Sequence, residues 1–130
     1  MKKFRILAAC LVCLFTLVGC SSRSAYILNV NKPITGHYSI DQVKNAILRA
    51  GEEREWVMTQ VSPGVINGHV DQRGHTADIR INYSTSSYSI NYVSSQNLRA
   101  ARGKIHRNYN RWINNLDREI QLRLSAQLIK

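Results

Sequence analysis

The feature that most limits how this chain can fold is a change of hydrophobic period near Trp56. Before it, Ile40, Val43, Ala46, Ile47 and Ala50 recur at spacings of three and four, which places them on one side of a helix. Ser39-Ile40-Asp41-Gln42 has the form of a capping box, and Gly51 offers a stop, so the spacing predicts a helix over Ile40 to Ala50. Beyond Glu52-Glu53-Arg54-Glu55 the period becomes two. Ala77, Ile79, Ile81 and Tyr83 alternate with Thr76, Asp78, Arg80 and Asn82, and Tyr88, Ile90 and Tyr92 repeat the pattern. Strands of this kind have one covered and one wet face. Pro63-Gly64, Gln72-Arg73-Gly74 and Thr85-Ser86-Ser87 punctuate four such strands. The segment Ala25 to Val30, closed by Asn31-Lys32-Pro33, is a further strand for one edge, and Ser94 to Asn97 reads as a polar loop.

A second helix is predicted from about Lys104 to Gln127. Ile105, Tyr109, Trp112, Leu116, Ile120 and Leu124 form one apolar stripe with Ile113 at its border, while Lys104, Arg107, Arg111 and Arg118 lie opposite. The expected fold is therefore α+β: an antiparallel meander of four to five strands with two helices packed on one face. The stripe is what packing on a sheet requires; a cofactor box of Tyr109 and Trp112 is the lesser reading.

The N-terminus has another logic. Met1-Lys2-Lys3-Phe4-Arg5 is followed by an apolar stretch from Ile6 to Val18, then by small and polar residues. This is the three-part pattern of a secretory signal peptide, and the stretch is shorter than the roughly 20 residues that span a bilayer. Leu17-Val18-Gly19-Cys20 resembles the lipobox of bacterial lipoproteins. The resemblance implies cleavage before Cys20, lipid on its sulfur and amine, and, with Ser21 following, sorting to the periplasmic side of the outer membrane. The expected organisation is a lipoprotein signal peptide over 1–19, the lipidated Cys20 and a short tether over 20–24, and one domain over 25–130. Lipid anchorage takes more than one acyl chain to be stable.

Processing changes the meaning of the composition. The chain carries a formal charge of +10 and three cysteines, which by themselves suit nucleic acid or thiol chemistry. Residues 20–130 keep 15 Lys+Arg against 8 Asp+Glu, and Cys10 and Cys13 fall within the signal. No thiol is then left for a disulfide, a nucleophile or a metal ligand, and export removes nucleic acid as a partner. Of the remaining basicity, eight Lys+Arg lie in 98–130 with only Asp117 and Glu119 as acids. Lys104, Arg107, Arg111 and Arg118 form a candidate face for an anionic partner: membrane lipid, lipopolysaccharide, peptidoglycan carboxylates or an acidic envelope protein.

Catalytic signals are weak. His69, Asp71 and His75 flank the Gly74 turn, with Asp78 beyond it, and a metal-dependent or hydrolytic site there is the alternative function. The alternation places His75 in phase with Ala77 and Ile79. No second short-spaced ligand motif, Gly-x-Ser-x-Gly elbow or phosphate-binding glycine loop accompanies them. No metal or cofactor beyond the lipid on Cys20 is expected.

The run Trp56, Pro63-Gly64, His75, Ala77, Ile79, Ile81, Tyr83, Tyr88-Ser89-Ile90-Asn91-Tyr92, Ser95-x-Asn97-Leu98 and Ile105-His106-x-Asn108-Tyr109-Asn110-x-Trp112-Ile113-x-Asn115-Leu116 resembles a family of small uncharacterised proteobacterial lipoproteins. The resemblance covers about Ile40 to Leu124 and implies location and fold without an activity. The chain departs from that pattern in having Glu55, where a glycine is expected, before Trp56. His106, Asn108, Asn110 and Asn115 lower helix propensity, and are expected to tie the Ser94 to Gly103 loop to the last helix. His75, Tyr92, His106 and Tyr109 are a candidate polar recognition surface. The leading expectation is a non-enzymatic binding or envelope-assembly module; a passive structural lipoprotein whose apolar stripe joins a partner helix is a further alternative.

Overall fold

The fold is described for residues 23–128 in a computed structural model. Cys20 and the expected signal peptide lie outside the described residues. Seven strands and two helices follow in the order β1 (Ser24–Tyr26), β2 (Val30–Pro33), α1 (Ile40–Glu53), β3 (Val57–Ser62), β4 (Val65–Gln72), β5 (His75–Tyr83), β6 (Ser87–Gln96), β7 (Lys104–His106) and α2 (Arg107–Leu128). The expected α+β class is what the chain adopts, with an antiparallel five-stranded sheet ordered β2-β6-β5-β4-β3 and a separate β1-β7 pair.

The alternation does the expected work. Ile66 and Val70 of β4, Ala77, Ile79 and Ile81 of β5, and Tyr88 and Ile90 of β6 are buried together with Val43, Ala46, Ile47 and Ala50 of α1 and Tyr109, Ile113, Leu116, Ile120 and Leu124 of α2. Removal of this apolar area from water, at roughly 25 cal/mol per Å², is the main force holding helices to sheet. The capping box is also present: Gln42 N donates to Ser39 Oγ at 3.1 Å and Ser39 N to Gln42 Oε1 at 2.8 Å.

Several boundaries differ from the sequence expectation. Asn31-Lys32-Pro33 is not a terminating turn but part of β2, which pairs with β6 at the sheet edge, where a proline costs no ladder bond. Tyr26 does not join the main sheet; it pairs with Lys104 in the small β1-β7 ladder, so Ser24, the last residue of the expected tether, already belongs to the domain. Lys104 is in that strand too, and α2 starts at Arg107. Here His106 Nδ1 accepts from Asn108 N at 3.1 Å, a side-chain cap for an otherwise open helix N-terminus. Strand β6 also runs on to Gln96 through the expected loop, because Val93 is an extra residue: Tyr92 lies opposite Ile79 and Ser94 opposite Asp78.

Gly51 does not stop α1. The helix continues to Glu53, and a Cβ on Gly51 would lie 2.2 Å from Met58 Cγ. Gly68 of β4 makes room for the same side chain, with Met58 Sδ 3.0 Å from its virtual Cβ. Small residues here let α1 and the sheet close over one methionine. The helix ends instead at Arg54, followed by Glu55 at φ 65°. Glu55 N donates to Glu52 O at 3.1 Å and Trp56 N to Gly51 O at 2.8 Å, the paired bonds of a Schellman motif. Glu55 therefore adopts the left-handed conformation that glycine usually takes at this position of the motif, at a cost of about 1 kcal/mol.

Candidate functional site

The Schellman turn delivers Trp56 to the end of the sheet where β4 finishes. Across from it, the first turns of α2 present Arg111, Trp112 and Asn115. Between them is a cleft of about 360 Å³, also lined by Glu53, Arg54, Glu55, Val70 and Gln72. That volume is within the range of small-ligand sites. The chain has two tryptophans and both line this cleft: Trp56 is buried and Trp112 half-buried.

The polar groups around the cleft divide into engaged and free. Gln72 Nε2 donates to Glu55 Oε2 at 3.0 Å. Arg54 Nε lies 3.9 Å from Glu119 Oε1, and Glu53 Oε2 lies 3.6 Å from Arg123 Nη2. Arg111 is exposed, and neither it nor Asn115 has a side-chain hydrogen bond or ion pair among the described residues. The exposed Arg111 guanidinium, the half-buried Trp112 indole and the Asn115 amide line one space, and such groups can stack on a ring or sugar face and pair with a carboxylate. A depression of about 410 Å³ between α1 and α2 lacks this chemistry: it has no aromatic lining, Arg123 is paired and Gln127 donates to Gln42 O.

The candidate anionic-partner face is reached in part. Arg107, Arg111 and Arg118 are exposed on α2, whereas Lys104 stands on β7 with its Nζ 5.2 Å from the centroid of the Tyr26 ring. The candidate recognition surface of His75, Tyr92, His106 and Tyr109 does not form. Tyr109 is fully buried, because it is on the apolar stripe, and Tyr92 meets it edge-on at 5.4 Å and 89°. Tyr92 Oη bonds Ser95 Oγ at 2.8 Å, His75 Nδ1 donates to Asn97 O at 2.8 Å, and His106 caps α2. Asn110 ties down a different segment from the one expected: it accepts from Leu28 N at 3.1 Å and donates to Tyr26 O at 2.9 Å, fixing the β1-β2 connection to α2.

His69, Asp71 and His75 are not brought together. His69 pairs with Asp78 across the β4-β5 ladder and is in phase with the exposed side, while His75 is in phase with buried Ala77 and Ile79, so the imidazoles belong to opposite faces. Asp71 is occupied by the turn, accepting from Gly74 N at 2.9 Å. His69 Nδ1 lies 2.8 Å from Asp78 Oδ1, whose other oxygen accepts from Ser94 Oγ at 3.2 Å. The carboxylate is thus central between imidazole and hydroxyl, whereas a Ser-His-Asp triad places the imidazole between the other two. Among the described residues, no group of three His, Cys, Asp or Glu side chains is arranged to hold a metal ion.

Under α2 is a second polar assembly. Asp117 is buried, and its carboxylate accepts from Tyr88 Oη at 2.5 Å and Gln121 Nε2 at 3.3 Å, with Lys32 Nζ at 3.3 Å. Burial, then the bond to Asp117, holds the Tyr88 phenol well above its usual range; burial, then Tyr92, does the same to Tyr109. The Tyr109 hydroxyl has no hydrogen-bond partner among the described residues.

Sequence reasoning placed Arg111 in a candidate site and noted Trp112, but missed Trp56, Gln72 and Asn115 as its companions. The one available signal was that the chain has only two tryptophans, at 56 and 112. No protein-family model matches this sequence, and no curated protein gives a significant match to it.

Proposed function

We propose that this chain is an exported lipoprotein, held by Cys20 on the periplasmic side of the outer membrane, that acts as a non-enzymatic binding module for carboxylate-bearing saccharide, the chemistry presented by peptidoglycan. The lipobox resemblance supports the anchor, and Ser21 supports outer-membrane sorting. The observation that carries the binding function is the Trp56–Trp112 cleft with its free Arg111 and Asn115. The half-buried Trp112 indole offers a stacking surface for a sugar ring, Arg111 a fork for a carboxylate, and the Asn115 amide bonds to hydroxyls.

Because both tryptophans line the cleft, tryptophan-selective emission reports on it. Titrating the full chain with soluble peptidoglycan fragments shifts or quenches the emission, and Arg111→Glu removes the response while leaving the far-ultraviolet circular dichroism unchanged. Emission unaffected by the fragments rejects the proposal. A response that persists in Arg111→Glu removes the carboxylate from the recognition chemistry.

A further inference from the structure

We infer that the β1-β7 end of the domain is a membrane-facing surface that docks on the anionic phospholipid headgroups of the bilayer holding the anchor; this rests on the lipid attachment at Cys20 proposed above. The juxtaposition comes from the small ladder. Ser24 lies opposite His106 and Tyr26 opposite Lys104. Arg107 N donates to Arg23 O at 3.2 Å and Ile27 N to Gly103 O at 2.9 Å. The strand leaving Cys20 is thereby fixed beside the start of α2.

Reach then restricts orientation. Ser24 follows Cys20 by four residues, and four extended residues span at most about 14 Å. An acylated Cys20 lies in the headgroup region, so this end of the domain stays near the bilayer surface whatever else the protein contacts. That upper bound is less than two screening lengths of about 8 Å at physiological ionic strength.

The chemistry of that end fits an anionic leaflet. Arg23, Arg99, Arg102, Lys104 and Arg107 are all exposed there. No Asp or Glu occurs in 20–40 or in 79–116, so no acid in these segments offsets them. Arg99 and Arg102 have φ of 54° and 53°, a region that disfavours side chains other than Asn, Asp and Gly. Arg102-Gly103 forms a two-residue turn with positive φ at both positions, closed by Ala101 and Lys104, where Asn-Gly is the usual choice. The loop thus carries arginine where the backbone favours other residues. Tyr26 is 75% exposed and lies beside the Lys104 ammonium, an aromatic and cation pair suited to the membrane-water interface.

The test uses the full chain mixed from detergent into vesicles of phosphatidylcholine alone or with phosphatidylglycerol, and treated with a water-soluble amine-acylating reagent. Lys104 is compared with Lys44 of α1 in the same molecule. With phosphatidylglycerol present, Lys104 reacts about fivefold more slowly relative to Lys44 than on neutral vesicles. High salt, or Arg99→Glu with Arg102→Glu, abolishes the difference. Equal Lys104 reactivity on both vesicles, with the protein still floating on both, overturns the docking surface and leaves the lipid anchor standing. Flotation only on phosphatidylglycerol vesicles supports the surface and rejects the anchor; flotation on neither rejects both.

Discussion

Helix α2 divides before Asp117 into a first half, 107–116, and a second half, 117–128, of opposite electrostatic character. Its second half is tied to its surroundings through its acids: Asp117 by the Lys32 ion pair and the Tyr88 hydrogen bond, and Glu119 by Arg54. Its first half contains no acid and makes no ion pair among the described residues. There, Tyr109 and Ile113 hold the helix by burial and Asn110 holds it by two backbone bonds, leaving Arg107 and Arg111 uncommitted. Only Arg118, exposed and unpaired among the described residues, breaks the pattern of the second half. Polar groups that dock a helix are consumed in docking it; a stretch held by apolar contacts keeps its charges for something else.

The largest effect that tests this contrast is in the second half. Asp117→Ala leaves the Tyr88 hydroxyl buried without its acceptor, and urea unfolding is expected to show a loss of about 3 kcal/mol. A loss below about 1 kcal/mol means that the network is incidental.

Alkaline titration compares one buried tyrosine from each side of the contrast. Both phenols titrate above their usual 10.0 in the folded chain, so above pH 10 the unfolded chain loses these protons first and is favoured. Their contribution is intact below pH 10 and falls as pH rises, by about 1.4 kcal/mol per pH unit for each tyrosine. Tyr109→Phe halves that slope, and because its hydroxyl lacks a partner it costs little at neutral pH, whereas Tyr88→Phe takes a donor from Asp117 and costs about 1 kcal/mol. Equal neutral-pH costs for the two substitutions erase the distinction.

Asn110→Ala removes the side-chain bonds to Tyr26 O and Leu28 N, with an expected loss of about 1 kcal/mol by thermal unfolding. An unchanged melting point means that the β1-β2 connection holds itself. The smallest effect is the most telling for function: Arg111→Ala changes stability by less than about 0.5 kcal/mol while weakening saccharide binding. A marked destabilisation makes Arg111 structural and removes the reason to regard the first half as free.

Much of the scaffold was legible because burial writes itself into periodicity. Ile79 and Ile81 alternate with Asp78 and Arg80, and the covered face follows; Ser39 and Gln42 announce the start of α1. What was misplaced depended on partners distant in sequence. Nothing local says that Lys104 pairs with Tyr26 rather than opening α2, or that Gly51 is small because Met58 lies over it. Tyr109 was placed both on the apolar stripe and on a polar surface, and the stripe prevailed because an aromatic ring at helical spacing gains more from burial than its hydroxyl loses. The cleft was legible only as Arg111 and Trp112, since Trp56 is 56 residues before Trp112 in the chain.

The sequence by itself determined the layers, the sheet's covered face and the helical stripe, because each depends on a repeat of two or of three to four residues within one segment. Tertiary structure decided which polar residues are engaged and which are free. Asp117 and Arg111 are both ionisable residues of one helix, and only the arrival of Lys32 and Tyr88 from the sheet separates them. A side chain's hydrogen bonds are set by what the rest of the fold brings within about 3 Å, and that neighbourhood is not written in local sequence.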